Sequence, residues 1–66
     1  MTSNQFRNAL RRLELSQLGA ARLFRADGRT ARRWAGDERS IPPTVEILLR
    51  LMLAGKITPD DIEAVM

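Results

Sequence analysis

Neither cysteine nor histidine occurs in this 66-residue chain, and their absence limits how it can be held together. Disulfides and thiolate metal sites are excluded, and ordinary zinc sites nearly so, because the residues that form them are missing. A domain of this size buries only about 60% of the surface that its unfolded chain exposes. The sequence therefore predicts one small domain with a core of apolar side chains alone, which a partner subunit would help to stabilise.

Start and stop signals for helices divide the chain into five short segments. A first helix begins near Thr2 or Ser3, and Ser16 and Asp27 are good N-caps for a second and a third. Apolar side chains at helical spacing give each helix an inward face: Phe6, Ala9, Leu10 and Leu13, then Ala20, Ala21 and Phe24, then Ala31 and Trp34. We therefore expect three amphipathic helices before residue 36.

Two further helices follow a polar loop from Gly36 to Pro43. Pro43 can serve as the first residue of a fourth helix, over about residues 44–54, which is apolar almost all round and ends at Gly55. The segment Thr58–Asp61 combines a threonine cap, a proline and two acids, a strong start signal for a fifth helix. Nothing alternates with a period of two, so we expect no strands and a single all-α domain over residues 1–66.

Neither a leader nor a membrane span is expected. Residues 1–5 are polar rather than basic and then apolar, so no signal peptide is predicted. The longest uninterrupted apolar stretch in the middle of the chain, residues 51–54, is far too short to cross a bilayer. The sequence therefore predicts a cytoplasmic protein, associated with the nucleoid if it binds DNA, and no membrane partner.

Positive charge is concentrated in the first forty residues. Residues 1–40 contain nine arginines and four acidic residues, a net charge of +5, whereas residues 41–66 carry a net charge of −2. A basic portion joined to a mildly acidic end indicates one surface that faces a polyanion and another that faces elsewhere. This asymmetry favours a nucleic-acid partner but does not establish one by itself.

Residues 16–36 have the layout of a helix-turn-helix unit. Two short helices are separated by about three residues, and small side chains at Ala20 and Ala21 let the helices cross closely. Four residues lie on the outward part of the second of these helices: Arg29, Thr30, Arg32 and Arg33. A DNA reader needs such a helix, because its first turns must offer long donors to base edges in the major groove.

The same stretch resembles the Cro and phage-repressor superfamily, often called the Xre family of bacterial regulators. That family's motif runs Ser/Thr-Gln, Leu-Ala, Leu-Gly-Val-Ser, a Thr-hydrophobic pair and Arg-Trp. The matching positions here are Ser16-Gln17, Ala20-Ala21, Phe24-Arg25-Ala26-Asp27, Thr30-Ala31 and Arg33-Trp34. The fourth and fifth helices also match in order and length. The resemblance implies a compact five-helix, lambda-repressor-like domain, with helices two and three as the helix-turn-helix, and a small regulator encoded by a bacterium, phage or mobile element.

Three positions depart from the family pattern. Arg25 stands where the turn usually has glycine, so it is expected to adopt an unusual backbone angle. The inward aliphatic position holds only Ala31, so Trp34 is expected to fill the core there rather than stack on a nucleotide. Gly19 replaces the usual glutamate, which weakens the capping box of Ser16. None of these departures removes the outward arginine face.

The candidate DNA contacts fall into two groups. Three arginines are assigned to base reading: Arg29, Arg33 and Arg32. A bidentate arginine–guanine pair is the commonest specific contact, and Arg32 lies between this role and a phosphate contact. The resemblance implies that Gln17 and Thr30 contact phosphates and that Arg39 contacts the DNA backbone. The arginines of the first helix are expected to be solvated or to act at a distance, with room for one phosphate contact among them: Arg7, Arg11 and Arg12.

Nothing in the sequence predicts an enzyme. Gly28 is a single glycine, without the glycine-rich run and lysine of a phosphate-binding loop. Asp60 and Asp61 are interpreted as helix-start charges, because no histidine, cysteine or second acidic cluster accompanies them. No nucleophile has a base beside it. We therefore expect no catalytic residue, no cofactor and no metal.

The expected function is sequence-specific transcriptional regulation through a two-fold operator in double-stranded DNA, with autoregulation typical of such proteins. Helices four and five, about residues 43–66, complete the core and supply a homodimer face. A monomer would leave apolar residues of these helices exposed: Ile47, Leu49, Leu53, Val65 and Met66. Repression by blocking RNA polymerase, and activation through an acidic contact near Asp37 and Glu38, both stay open.

Two alternatives use the same fold. A protein-binding module, such as an antitoxin or antiactivator, would present the apolar fourth helix to another protein. Such a module has no need for three arginines on one exposed helix face. A recombination accessory factor would bind DNA to bend it rather than to regulate transcription.

Overall fold

All regular structure in this chain is helical. The computed structural model describes residues 1–65, with five α-helices: α1 (Ser3–Arg12), α2 (Gln17–Leu23), α3 (Gly28–Ala35), α4 (Pro43–Leu53) and α5 (Pro59–Val65). No strand occurs among these residues, and none of their helices is long and apolar enough to cross a membrane. The prediction of five helices in an all-α fold is confirmed.

The helices begin where the local signals predict. Thr2 starts α1 with a complete capping box: its hydroxyl accepts from the Gln5 N–H at 3.1 Å, and the Gln5 side chain accepts from the Thr2 N–H at 3.0 Å. Ser16 caps α2 in one direction only, because Gly19 has no side chain to reciprocate. The other predicted starts are also in place: Asp27 for α3, Pro43 for α4 and Thr58 for α5.

The first four helices end in the same way, with a left-handed residue just past the helix. The N–H of the following residue then donates to a carbonyl five residues back: Leu15 to Leu10 O, Ala26 to Ala21 O, Glu38 to Arg33 O and Lys56 to Leu51 O, at 2.8–2.9 Å. The left-handed residues are Glu14, Arg25, Asp37 and Gly55, with φ of 57°, 56°, 62° and 74°. The unusual angle expected at Arg25 is confirmed, and Glu14 and Asp37 share it.

The core is apolar throughout the described residues. Phe6 and Leu49 are its largest fully buried side chains, and no polar or charged side chain within residues 1–65 is buried. The rings of Phe6 and Trp34 meet edge to face, with centroids 5.9 Å apart and an interplanar angle of 82°. Small buried alanines at positions 20, 21 and 31 let α1, α2 and α3 approach closely. Trp34 therefore fills the core, as predicted.

The inward face of α4 differs from the prediction. Leu49 was expected on an exposed dimer face, but it is 0% exposed and packs in the core with Val45 and Met52. Leu53 is half-buried at a shallow cleft shared with Arg50. The sequence could not orient this helix, because it is apolar almost all round.

Three large apolar residues of α4 and α5 face solvent. Ile47 is 57% exposed, Leu51 is 36% exposed and Val65 of α5 is 84% exposed. Leu51 and Val65 border an open apolar groove between α4 and α5, which Leu48, Ile57 and Ile62 also line. The remaining residue of the predicted dimer face, Met66, lies outside the described residues.

Glu14→Gly is expected to raise the free energy of unfolding by about 0.5–1 kcal/mol. A left-handed non-glycine residue costs ~1–2 kcal/mol, and the larger unfolded-state entropy of glycine offsets part of the gain. Gly55→Ala should lower it by about 1 kcal/mol through backbone conformation alone, since the added Cβ meets no atom within 4 Å. Urea unfolding followed by circular dichroism measures both changes. A destabilised Glu14→Gly protein would contradict this account of the turns.

Candidate nucleic-acid interface

α3 divides its side chains between the core and solvent. Its inward face consists of Ala31, Trp34 and Ala35, all buried. Arg29 and Arg32 are exposed, whereas Thr30 and Arg33 are half-buried at the border of the outward face. A half-buried arginine can pack its methylenes on the protein while the guanidinium stays in water. The four side chains assigned to DNA contact thus share the side of α3 that the core does not use.

The arginines of α3 are not held by other side chains. No salt bridge or hydrogen bond within residues 1–65 engages the guanidinium of Arg29, Arg32 or Arg33. Arg50, by contrast, is paired with Glu46 at 2.8 Å, as the spacing of four residues predicts. The donors of the α3 arginines are therefore available to an external acceptor.

The start of α3 carries a negative charge beside these arginines. The Asp27 carboxylate accepts from the Thr30 N–H at 2.7 Å. This bond, the Thr30 hydroxyl and the charges of Arg29 and Arg33 hold the pKa of Asp27 below its ordinary value of 3.8. Asp27 is therefore ionised at neutral pH, where it favours the positive end of the helix dipole. Because the charges of Arg29 and Arg33 both act on this carboxylate, the two arginines lie near the same start of α3.

The first turns of α2 and α3 adjoin. A Cβ built on Gly28 would lie 3.5 Å from a methyl group of Leu18, so these two residues are in contact across the turn. Gln17 and Arg29 are the chain neighbours of this pair, and both are exposed. The two first turns that carry a predicted phosphate contact and a predicted base reader are therefore neighbours. Leu18 itself is 53% exposed at this point, and its exposure gave no signal in the sequence.

Arg39 lies at the other end of α3. It is exposed in the loop before α4 and borders a cleft of about 490 Å³ with Trp34, Asp37 and the first residues of α1. An eight-residue helix is about 12 Å long, so Arg39 and Arg29 are separated by roughly the length of α3. The predicted contacts are therefore spread along α3 rather than gathered at one point.

Arg7 of α1 has a contact that the sequence did not predict. Its Nη1 donates a hydrogen bond to the carbonyl of Ala35, the last residue of α3. Arg7 is exposed, so the expectation of a solvated or distantly acting arginine is not contradicted, but this hydrogen bond was not part of it. A backbone carbonyl 28 residues away has no signature in the sequence, so only the fold reveals this partner.

Comparisons with known proteins give no match. No protein-family model matches the chain, and neither a curated protein nor a solved structure matches it. The resemblance to Xre regulators therefore stays a prediction based on the motif in residues 16–34. Support for a function comes from the arrangement of α2, α3 and their exposed side chains.

Asp27→Asn separates the charge of the cap from its hydrogen bond. Asparagine is an equally good N-cap, but it does not titrate. Because the folded-state pKa of Asp27 is lowered, its charge stabilises the protein above the ordinary value of 3.8, and this contribution is lost as pH falls through the folded pKa. We expect the parent to have the higher urea midpoint at neutral pH and the two midpoints to converge in acid. A difference that is constant across this range would contradict the assignment.

Proposed function

We propose that this protein is a sequence-specific DNA-binding regulator in which α2 and α3 form a helix-turn-helix and α3 enters the major groove. The observation that carries the proposal is the outward face of α3, where three arginines form no salt bridge within residues 1–65, on a helix whose other face is buried. Such a helix is held rigidly by the core while its donors face outward. That combination is what direct readout of base edges requires.

The dimensions of α3 fit this role. The major groove is about 12 Å wide and admits one α-helix. Arg29 and Arg33 are four residues apart, a rise of about 6 Å along the helix axis. Base pairs are about 3.4 Å apart, so the two guanidinium groups can address neighbouring base pairs. Guanines are their natural partners, because O6 and N7 match the arginine fork.

The other predicted contacts would orient α3 on the DNA backbone. Gln17 begins α2, where unpaired N–H groups attract phosphate. Thr30 borders the arginine face and Arg39 lies at the far end of α3. Phosphate contacts at both ends of the helix would fix its register without reading sequence. Arg32, between the two groups, is assigned to base reading or to a phosphate.

A homodimer on a two-fold operator completes the proposal. The exposed stripe of Ile47 and Leu51 on α4 continues into the apolar groove beside Val65, a surface that a second copy would cover. Two-fold symmetry then sets half-sites about one helical turn, ~34 Å, apart. The same groove favours a second candidate function, which is binding another protein. That function would use this face of α4 and α5 and would give the α3 arginines no role.

Arg33→Ala is expected to cost about 1–3 kcal/mol on the selected site, much less on random DNA, and to relax preference at one base position. The reason is that a lost base contact matters only where the right base is present. Arg39→Ala is the control: removing a phosphate contact should weaken both kinds of binding similarly and reduce the salt slope by about 0.9. Selection of sites from random DNA, with titrations at several salt concentrations, measures both. Identical sequence preferences for the parent, Arg29→Ala and Arg33→Ala would reject base reading by α3.

Ile47→Glu is expected to shift the protein towards monomer, because it places a charge in the centre of the exposed apolar stripe. Asn8→Glu makes the same change in charge at an exposed polar position of α1, outside the apolar stripe itself. Sedimentation with and without operator DNA compares the two variants with the parent. A parent that is monomeric in both conditions would reject the dimer. A parent that ignores DNA but whose apolar stripe binds another protein would favour the second candidate.

A further inference from the structure

The hydrogen bond of Arg7 joins α1 to the C-terminal end of α3. The last carbonyls of a helix have no partner within it and need one from elsewhere. In α3, Arg32 O accepts from Gly36 and Arg33 O accepts from Glu38. The carbonyl of Ala35 is instead bound by the Arg7 side chain. A guanidinium here also carries positive charge to the negative end of the helix dipole.

This bond lies beside the main apolar contact between the same two helices. Phe6 precedes Arg7 on α1 and packs its ring against Trp34, which precedes Ala35 on α3. Adjacent residues of one helix thus hold adjacent residues of the other, one pair through rings and one through a charge-assisted hydrogen bond. The buried side chains of Ala31, Trp34 and Ala35 set which face of α3 points inward. The Arg7 hydrogen bond adds a second attachment at the C-terminal end of α3, which limits small rotations of that end.

Arg33 is two residues before Ala35, so it is close to this fixed point. At the other end α3 is held by its cap and by the turn after α2. A rotation of the C-terminal half would therefore change where Arg33 projects, while Arg29 in the first turn would move less.

We propose that Arg7 is a positioning residue that fixes the rotation of α3 and so directs Arg33 at its base pair. This inference rests on the proposed function, since it assigns Arg7 a part in base reading. It also separates Arg7 from Arg11, which lies one turn further along α1: both are exposed, but only Arg7 donates to the Ala35 carbonyl. In this proposal Arg11 contributes only positive charge to DNA binding. Arg7 contributes positive charge and also fixes the orientation of α3.

Arg7→Ala and Arg11→Ala form a matched pair, since each removes one arginine from the same side of α1. Titration on the selected site and on random DNA is the first measurement. We expect both variants to lose the same small factor on random DNA. The ratio of specific to random binding should fall on the order of tenfold for Arg7→Ala alone, within what one arginine–guanine pair supplies. Arg7→Lys keeps a cationic donor and should recover part of that ratio.

A double-mutant cycle with Arg33 distinguishes positioning from a general loss of structure. If Arg7 acts by directing Arg33, then Arg7→Ala should change the ratio by less than about twofold in an Arg33→Ala background. In an Arg39→Ala background it should keep its full effect. Full additivity with Arg33→Ala would overturn the proposal.

Amide hydrogen exchange in the free protein provides a readout without DNA, at a temperature where all variants are folded. Arg7→Ala should speed exchange in the C-terminal half of α3, whereas Arg11→Ala should not. Equal exchange in both variants, or equal loss of the specific-to-random ratio, overturns the positioning role. A parent that shows no preferred DNA site, while the exchange difference persists, rejects the proposed function instead.

Discussion

The position of α3 depends on the edge-to-face contact between Phe6 and Trp34. The alanines of the same core cluster, at positions 20, 21 and 31, are fully buried but too small to fill the core alone. Truncating a buried aromatic ring typically costs about 3–5 kcal/mol. That is a large share of the about 5–15 kcal/mol by which a whole domain is stable. Because the inward side chains of α3 hold the helix in the core, its outward arginines are not required for packing.

Tight turns extend this rigidity to the neighbouring helices. Each of the first four helices is stopped by a left-handed residue, so the chain can reverse within a few positions. Glycine suits such a position best, yet only Gly55 provides it. At Arg25, between α2 and α3, the strained backbone holds the angle between two helices that the proposed DNA contact uses together. Strain is most often retained where a structure must be held in one geometry.

Sequence signals predicted what is decided locally and missed what is decided by packing. The caps at Thr2, Ser16 and Asp27 are each a side chain bonded three residues ahead, so the chain order alone reveals them. The assignment of the α3 faces followed in the same way from helical spacing. Leu49 was misplaced because α4 has apolar residues on nearly every side, and only contact with the other helices selects the inward one. Arg7 was missed because its partner is a backbone carbonyl distant in the chain.

Asp27 has two effects on the proposed DNA surface. As a cap it stiffens the first turn of α3, from which Arg29 projects. Its carboxylate stays ionised at neutral pH because the bonds from Thr30 and the nearby charges of Arg29 and Arg33 lower its pKa. The interaction is mutual, so the carboxylate offsets part of the positive potential that these arginines present to any phosphate backbone. Hydrogen bonds to base edges are short-ranged and do not depend on that potential in the same way. In the proposed function, a larger share of the affinity for DNA would then depend on sequence, as discrimination against the far more numerous random sites requires.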